Sequence, residues 1–448
     1  MSFPIINHNI IISKESKLIL DLNTGLYIDM DDSGLIVLEC IDGKKSITDI
    51  FNHLAIEYNI DYAQLMRFLQ ILQARGIITI SDEPGECLVP NKDNIRIASI
   101  ELTDKCNIKC RYCYGAFAPA NCNFYRLEEI IPLFKTLKAR GVKVVELTGG
   151  EPTVNPQFNE IFELACNTFD NVTVMSNAVH FQKETLELFR IYRKKLSFSI
   201  SIDGFSEETN AFQRQVKNTF TKTINNITYI NKQIQPKNIR VVYMLTNENK
   251  KELDSFYQYM ANEQIRDVVI SIPEHIEDGR CYNLPDGCDM SDRTSWARQE
   301  LNEEAERVAE KYKDEIYPIT KKLGIDGIRL GSAHRSCGAG WALISIKSNG
   351  DIVPCNMMNN YYKLGNAKLD PTLDFLSRDN SVYDLFSKVD ISFEDSKRDC
   401  CKQCEYYNFC FKCINKIIIA NRKRIAAGLQ ICPVLANNGF TEEIIKNK

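Results

Sequence analysis

Two hydrophobic rhythms divide the chain. Apolar and polar residues alternate over 17–22 and again over 26–29, on either side of Asn23-Thr24-Gly25, a turn sequence that permits the positive φ of a tight hairpin. Three stretches with helical spacing follow at 32–41, 46–58 and 61–75. Ser46 and Asp61 are placed to cap the second and third, and Gly76 to stop the last. A short strand is expected at 77–80, then a linker marked by Pro84-Gly85 and Pro90-Asn91-Lys92-Asp93. Beyond it the pattern changes. Strand-like apolar runs recur at 95–102, 142–147, 172–176, 196–202, 239–245 and 268–272, with helical stretches such as 184–195 between them. Strand alternating with helix predicts parallel βαβ units, in which ligands gather at the carboxyl ends of the strands. The polar stretch 289–322 carries a helical stripe of Ala297, Leu301, Ala305 and Val308, which predicts a surface helix bridging this α/β unit and the cysteine-rich end.

Composition narrows the class. The 448 residues, 44% hydrophobic and 25% charged, suffice for two or three packed units. A net charge of −4 gives no reason to expect nucleic acid. No long uninterrupted apolar run is present, and Met-Ser-Phe-Pro-Ile lacks the plan of a signal peptide, so a soluble, cytoplasmic protein with no membrane partner is expected. The 17 cysteines mostly cluster at ligand spacings, which suits a reducing compartment.

The chemistry starts at Cys106-Asn-Ile-Lys-Cys110-Arg-Tyr-Cys113, on the loop leaving the 95–102 strand. Three thiolates at this spacing can hold four irons and leave one iron without a protein ligand. A zinc site or a group of buried free thiols is the plainer alternative. Thr148-Gly149-Gly150-Glu151-Pro152 follows the 142–147 run; its glycines let the backbone approach a ligand, and Glu151 offers an acceptor to an ammonium group, although a simple turn would also explain Gly-Gly. Ser176, Asn177, Ser201, Asp203 and Arg214 lie at or just after strand ends, where each could bind a ligand, cap a helix or fill a turn. Far downstream stand Cys337, Cys355, Cys401, Cys404, Cys410, Cys413 and Cys432.

With the glycine motif at this distance behind it, the cysteine triad resembles the signature of the radical S-adenosylmethionine (SAM) enzymes. That resemblance implies a partial (β/α)6 barrel and a radical cluster on Cys106, Cys110 and Cys113, which cleaves SAM to a 5'-deoxyadenosyl radical. It further implies that residues Gly149 to Pro152 hold the methionine amino group, that the two serines, Asn177 and Asp203 contact ribose or adenine, and that Arg214 pairs with the carboxylate. Cys337-Gly-Ala-Gly-Trp341, Gly350-Asp-Ile-Val-Pro-Cys355, Leu364-Gly365-Asn366 and the later cysteines are similar to the SPASM extension, which implies two auxiliary clusters and three 4Fe-4S clusters in all. The nearer would take Cys337, Cys355 and Cys413, leaving an iron open to a substrate thiolate or another residue; the distal would take Cys401, Cys404, Cys410 and Cys432. Cys400 beside Cys401, and only two residues between Cys410 and Cys413, depart from that pattern. Cys281 and Cys288 remain unassigned.

The hairpin and three helices resemble the winged-helix-like leader-recognition module of ribosomal-peptide maturases. A DNA-binding winged helix is the lookalike, but Asp21, Asp29, Asp31 and Asp32 would repel phosphates. The expected organisation is 1–90 leader module, 95–288 radical SAM barrel, 289–330 bridging helical region and 331–448 SPASM domain. Its implied activity is thioether formation between a cysteine sulfur and a carbon of a precursor peptide bearing a leader, fed by an external flavodoxin- or ferredoxin-like one-electron reductant. Carbon–carbon or carbon–oxygen crosslinking, epimerisation, side-chain oxidation and a non-catalytic zinc-stabilised peptide binder stay open.

Overall fold

The computed structural model describes residues 2–7, 10–13, 18–21, 26–58, 60–87, 95–273, 296–312, 316, 339–340, 342–358, 362–377, 379–388, 414–437 and 439–446. The turn 23–25, Cys281, Cys288, Cys337, Trp341, Cys400, Cys401, Cys404, Cys410 and Cys413 lie outside these residues. The chain divides into two compact units, and Met1–Lys92 belongs to the first.

In that unit β3 (Leu18–Asp21) and β4 (Leu26–Asp29) form the expected antiparallel hairpin, with Leu18 opposite Asp29. Two strands were not foreseen: β2 (Ile10–Ser13) extends the hairpin to three strands, and β1 (Phe3–Ile6) pairs with β5 (Ile78–Ser81). The helices fall where the periodicity puts them, at α1 (Asp32–Cys40), α2 (Ile47–Tyr58) and α3 (Tyr62–Ala74). Ser46 caps α2 reciprocally: its Oγ accepts from Asp49 N at 3.1 Å while its own N–H donates to Asp49 Oδ2 at 3.1 Å. Gly76 stops the third helix at φ +69°. Ile19, Leu38, Ile50, Leu54 and Leu69 make the shared core.

The second unit is built on a nine-stranded sheet. Six parallel strands run in chain order from β6 (Ile97–Thr103) through β7 (Val144–Gly149), β8 (Asn171–Ser176), β9 (Leu196–Ile202) and β10 (Asn238–Met244) to β11 (Asp267–Ser271). Between them lie α4 (Leu127–Ala139), α5 (Phe158–Thr168), α6 (Lys183–Ile191), α7 (Glu207–Arg214), α8 (Phe220–Tyr229) and α9 (Leu253–Asn262). This is the α/β fold anticipated. Strict alternation in β9 buries Leu196, Phe198, Ile200 and Ile202 in the core with the helices and turns three serines to the other face. Phe158, Phe162, Phe189 and Phe198 interlock there through mostly edge-to-face rings.

On the free side of β6 the sheet continues into β12 (Leu343–Ile346), which runs parallel to it, then antiparallel β13 (Asp351–Val353) and β14 (Gly365–Asn366). The stripe read as one face of a surface helix packs inward: in α10 (Trp296–Lys311) Leu301 and Val308 are fully buried in the core of the α/β unit, while Glu303, Glu306 and Arg307 stay exposed and Lys311 pairs with Asp254 at 2.6 Å. Helices α11 (Ser381–Lys388) and α12 (Ile414–Ala426) enclose a smaller core with Phe386, Ile417 and Ile418. Among the described residues no helix is long and apolar enough to cross a membrane.

Candidate functional site

The cysteine loop leaves β6 and is pinched at its neck. Thr103 Oγ1 donates to Asn123 O at 2.8 Å, Asp104 accepts from Asn123 N at 2.8 Å, and Cys106 N donates to Ala118 O at 3.2 Å. Its far side is tied to the end of α7, where Lys109 N donates to Arg214 O and Arg111 N to Gln213 O, both at 3.0 Å. Cys106, Cys110 and Cys113 lie together in one small apolar cluster with Ile108 and Phe117.

The glycine motif closes on this loop from below. Gly150 N donates to Thr103 O at 2.9 Å and Glu151 N to Lys105 O at 3.0 Å. A Cβ on Gly149 would stand 2.2 Å from Thr103 O, and one on Gly150 would stand 2.3 Å from Lys105 O and 2.9 Å from Cys106 Cβ. The paired glycines thus let two backbone segments touch, and only glycine tolerates the φ of +132° at Gly149. Pro152 opens the short turn that follows.

Polar side chains at the strand ends are wired to one another. Glu151 is buried, its oxygens accepting from Ser176 Oγ at 2.9 and 3.1 Å, Asn177 N at 2.9 Å and Thr153 Oγ1 at 2.7 Å. Burial pushes its carboxyl up, and these hydrogen bonds oppose the rise. Asn177 Nδ2 donates to Asn107 Oδ1 at 2.7 Å and faces Cys106 Sγ at 3.9 Å. Arg214 is fully buried; its Nε meets Asp203 Oδ2 at 2.6 Å, and its Nη1 donates to Asn177 O at 3.1 Å and Thr223 Oγ1 at 3.0 Å. Ser201 enters through its carbonyl, which accepts from Arg214 Nη2. In this arrangement Glu151 and Arg214 spend their polar atoms on the protein, joining the ends of β7, β8 and β9 into one brace beneath the loop.

The donors suit an iron–sulfur group. Burial pushes the Cys106 thiol up to about 12 and the Cys110 thiol well above its ordinary value, a cost that a bound cation removes. Thiolates are the soft ligands that iron–sulfur clusters select. No three His, Cys, Asp or Glu side chains among the described residues are poised around a single ion. A cubane asks for something else, since each thiolate binds its own iron. Two further candidate ligands carry N–H donors to sulfur: Met357 N points at Cys355 Sγ at 3.5 Å, and Asn421 Nδ2 at Cys432 Sγ at 3.2 Å. Asn421 also accepts from Cys432 N at 2.6 Å. Such outer-shell bonds orient a ligand and tune its metal.

Several of these partners escaped the sequence reading. Asn107 stood inside the cysteine motif without a role, and Asn421 is a buried polar residue in the apolar run Ile-Ile-Ile-Ala-Asn. Glu101 is the single charge in the buried strand Ile-Ala-Ser-Ile-Glu-Leu-Thr, a signal that was available.

Comparison with known proteins agrees with this geometry. Residues 100–260 match the Radical SAM superfamily, 17–78 the coenzyme PQQ synthesis protein D (PqqD) family and 337–405 the SPASM iron–sulfur cluster-binding domain. The chain thus carries a Radical SAM region, a PqqD-type module and a SPASM domain, and resembles the radical SAM maturases of ribosomally made peptides. SAM and iron–sulfur clusters are the cofactors of that class.

Among its relatives is the antilisterial bacteriocin subtilosin biosynthesis protein AlbA of Bacillus subtilis (strain 168), 25% identical over 414 residues, 88% of this chain and 86% of that protein. The sporulation killing factor maturation protein SkfB of the same organism is 32% identical over 166 residues, 37% of this chain and 39% of SkfB. In fold the chain is similar to Streptococcus suis SuiB bound to S-adenosylmethionine, with a TM-score of 0.54 at 16% identity, covering 99% of this chain and 100% of SuiB. SuiB bound to its precursor peptide SuiA gives 0.55 at 17%, over 93% and 97%.

Proposed function

We propose that this protein is a radical SAM maturase that installs thioether crosslinks in a ribosomally made precursor peptide. The observation that carries the reading is the similarity to AlbA across 88% of the chain, spanning the PqqD-type module, the radical SAM region and the SPASM domain together. Residues 1–90 bind the leader, 95–288 house the chemistry, 289–330 bridge and 331–448 carry auxiliary clusters. When bound, SAM and its cluster supply a 5'-deoxyadenosyl radical able to remove a hydrogen atom from carbon.

The chain's own residues do the rest. Cys106, Cys110 and Cys113 hold the radical cluster, and the brace of Glu151, Ser176, Asn177, Asp203 and Arg214 fixes the loop on which they stand. Gly149, Gly150 and Pro152 shape the backbone around the methionine group, and Ser201 lies where ribose or adenine would bind. Cys337, Cys355 and Cys413 hold a nearer auxiliary cluster and Cys401, Cys404, Cys410 and Cys432 a distal one, three 4Fe-4S clusters in all. The leader adds a strand to an edge of the sheet formed by β2, β3 and β4, where backbone bonds give affinity and side-chain pockets give selectivity. The reaction balances as one carbon–sulfur bond formed, the hydrogen atom of the broken carbon–hydrogen bond taken by the 5'-deoxyadenosyl radical, the thiol proton released to solvent, and the remaining electron, which an oxidised auxiliary cluster would accept. A flavodoxin- or ferredoxin-like donor in the cytoplasm primes the first cluster.

Co-expression with a candidate precursor followed by mass spectrometry tests the reading. Each bridge removes two hydrogens, and the loss disappears when the acceptor cysteine is serine. A modified peptide whose mass change survives that substitution would assign a different bond. With the peptide absent, the Cys106→Ala, Cys110→Ala, Cys113→Ala protein produces no 5'-deoxyadenosine under dithionite; continued production would move the cleaving cluster elsewhere.

A further inference from the structure

Glu101 and Lys347 lie 246 residues apart and form a buried ion pair, Lys347 Nζ to Glu101 Oε1 at 2.8 Å, with side chains 10% and 3% exposed for Lys347 and Glu101. Glu101 lies in β6 one residue past its last pair with β12, and Lys347 directly follows β12. Around them gather parts of both cysteine-bearing segments. From the first loop, Tyr114 OH donates to Glu101 Oε1 at 3.4 Å, and Lys347 Nζ sits 5.5 Å from the Tyr114 ring. From the second, Lys347 Nζ donates to Asn356 O at 3.1 Å, Asn356 Nδ2 donates to Ser99 Oγ at 3.1 Å, and Ser345 Oγ donates to Asn356 Oδ1. Tyr114 follows Cys113 and Asn356 follows Cys355, so one buried network holds a neighbour of each.

A buried pair of this kind does little for net stability, because desolvation offsets attraction. What it supplies is a fixed geometry and two fixed charges. We infer that Glu101 and Lys347 are positioning residues that seat the Cys355 turn on the sheet beside the Cys113–Tyr114 turn and set the electrostatic field at the auxiliary cluster ligated there. This rests on reading Cys355 as a ligand of the nearer auxiliary cluster. A structural strut alone would give every disruption the same consequence. A field gives opposite signs: losing the Lys347 cation disfavours the more negative, reduced cluster, and losing the Glu101 anion favours it.

The test is a redox titration, followed by electron paramagnetic resonance, of the anaerobically reconstituted full-length protein, first identifying the signal that Cys355→Ala removes. Lys347→Met lowers the midpoint potential of that signal, Glu101→Gln raises it, the double variant returns toward the parent and Lys347→Arg restores it. The ratio of 5'-deoxyadenosine to crosslinked product rises about tenfold in Lys347→Met as the turn loses its seat. Asn356→Ser strands no charge, so it reads out the seat even where Lys347→Met fails to take up iron, and it alters the same signal. Unchanged potentials in Lys347→Met and Glu101→Gln, with a Cys355-dependent signal present, overturn this inference alone. A Cys355→Ala protein that keeps every parent signal overturns the ligand reading and the inference with it.

Discussion

Replacing Arg214 by methionine separates two roles for a side chain that the resemblance assigns to the SAM carboxylate. In the structure the guanidinium is fully buried and lies 2.6 Å from Asp203, itself 2% exposed. Methionine roughly fills the volume but leaves Asp203 charged and uncompensated, a loss of about 3–5 kcal/mol for one partner of a buried pair. The bonds to Asn177 O and Thr223 Oγ1 go with it. Against a typical stability of about 5–15 kcal/mol this is a large fraction. At about 2–4 °C per kcal/mol for a domain of this size, the melting temperature falls by roughly 10 °C. Circular dichroism melts of the parent and variant, each with and without SAM, make the comparison. The fall is present without SAM, and Asp203→Asn combined with Arg214→Met recovers most of it, since the double variant strands no charge. A variant that melts within about 2 °C of the parent without SAM, yet loses SAM binding, would refute the brace and make Arg214 a ligand-binding residue.

Gly149→Ala, which sets a Cβ 2.2 Å from Thr103 O at φ +132°, destabilises by about 2–3 kcal/mol or more, whereas Gly141→Ala, at φ +89° in open space, costs only about 1 kcal/mol; paired thermal melts distinguish them. Asn421→Leu removes the N–H donor to Cys432 Sγ and lowers the midpoint potential of the distal auxiliary cluster proposed on Cys432, read by redox titration; an unmoved potential would deny Asn421 that role. Deleting residues 1–94 abolishes measurable binding of a labelled leader peptide while the remaining protein still takes up iron, and equal affinities before and after deletion would remove the leader module.

Much of this architecture was legible because local pattern and tertiary role coincide. Leu-Ser-Phe-Ser-Ile-Ser-Ile alternates without a break, so β9 falls at the predicted 196–202, and the six parallel strands follow from the same rhythm. The cysteine triad was readable because its ligands lie within eight residues of one another. What pattern does not carry is pairing at long range. β12 looks like any short apolar run until it joins β6, and β1 contains Pro4, which argues against a strand unless, as here, it sits in a two-stranded ribbon. Gly149 and Gly150 signal a close approach of backbone, and in the structure they bring it against the cysteine loop's own backbone. Arg214 and Glu151 were foreseen as contacts for a small molecule, and nothing in the sequence says that Asp203 and Ser176 take them first. The α10 stripe is legible as β9 is, since Leu301 and Val308 at helical spacing form the face that packs on the core.

The register of β12 against β6, Ile344 beside Ala98 and Ile346 beside Ile100, has a consequence for anyone dissecting this protein. The strand that launches the radical loop is interior to the sheet only because the carboxy-terminal region supplies its neighbour. A fragment ending before residue 339 would therefore expose the edge of β6 over Ile97–Ile100, with a row of unpaired backbone donors and acceptors ready to template association with a second fragment. Excised auxiliary and catalytic regions should consequently precipitate or pair promiscuously when expressed apart, and a chimaera that exchanges one SPASM domain for another must match strand register before it can match chemistry.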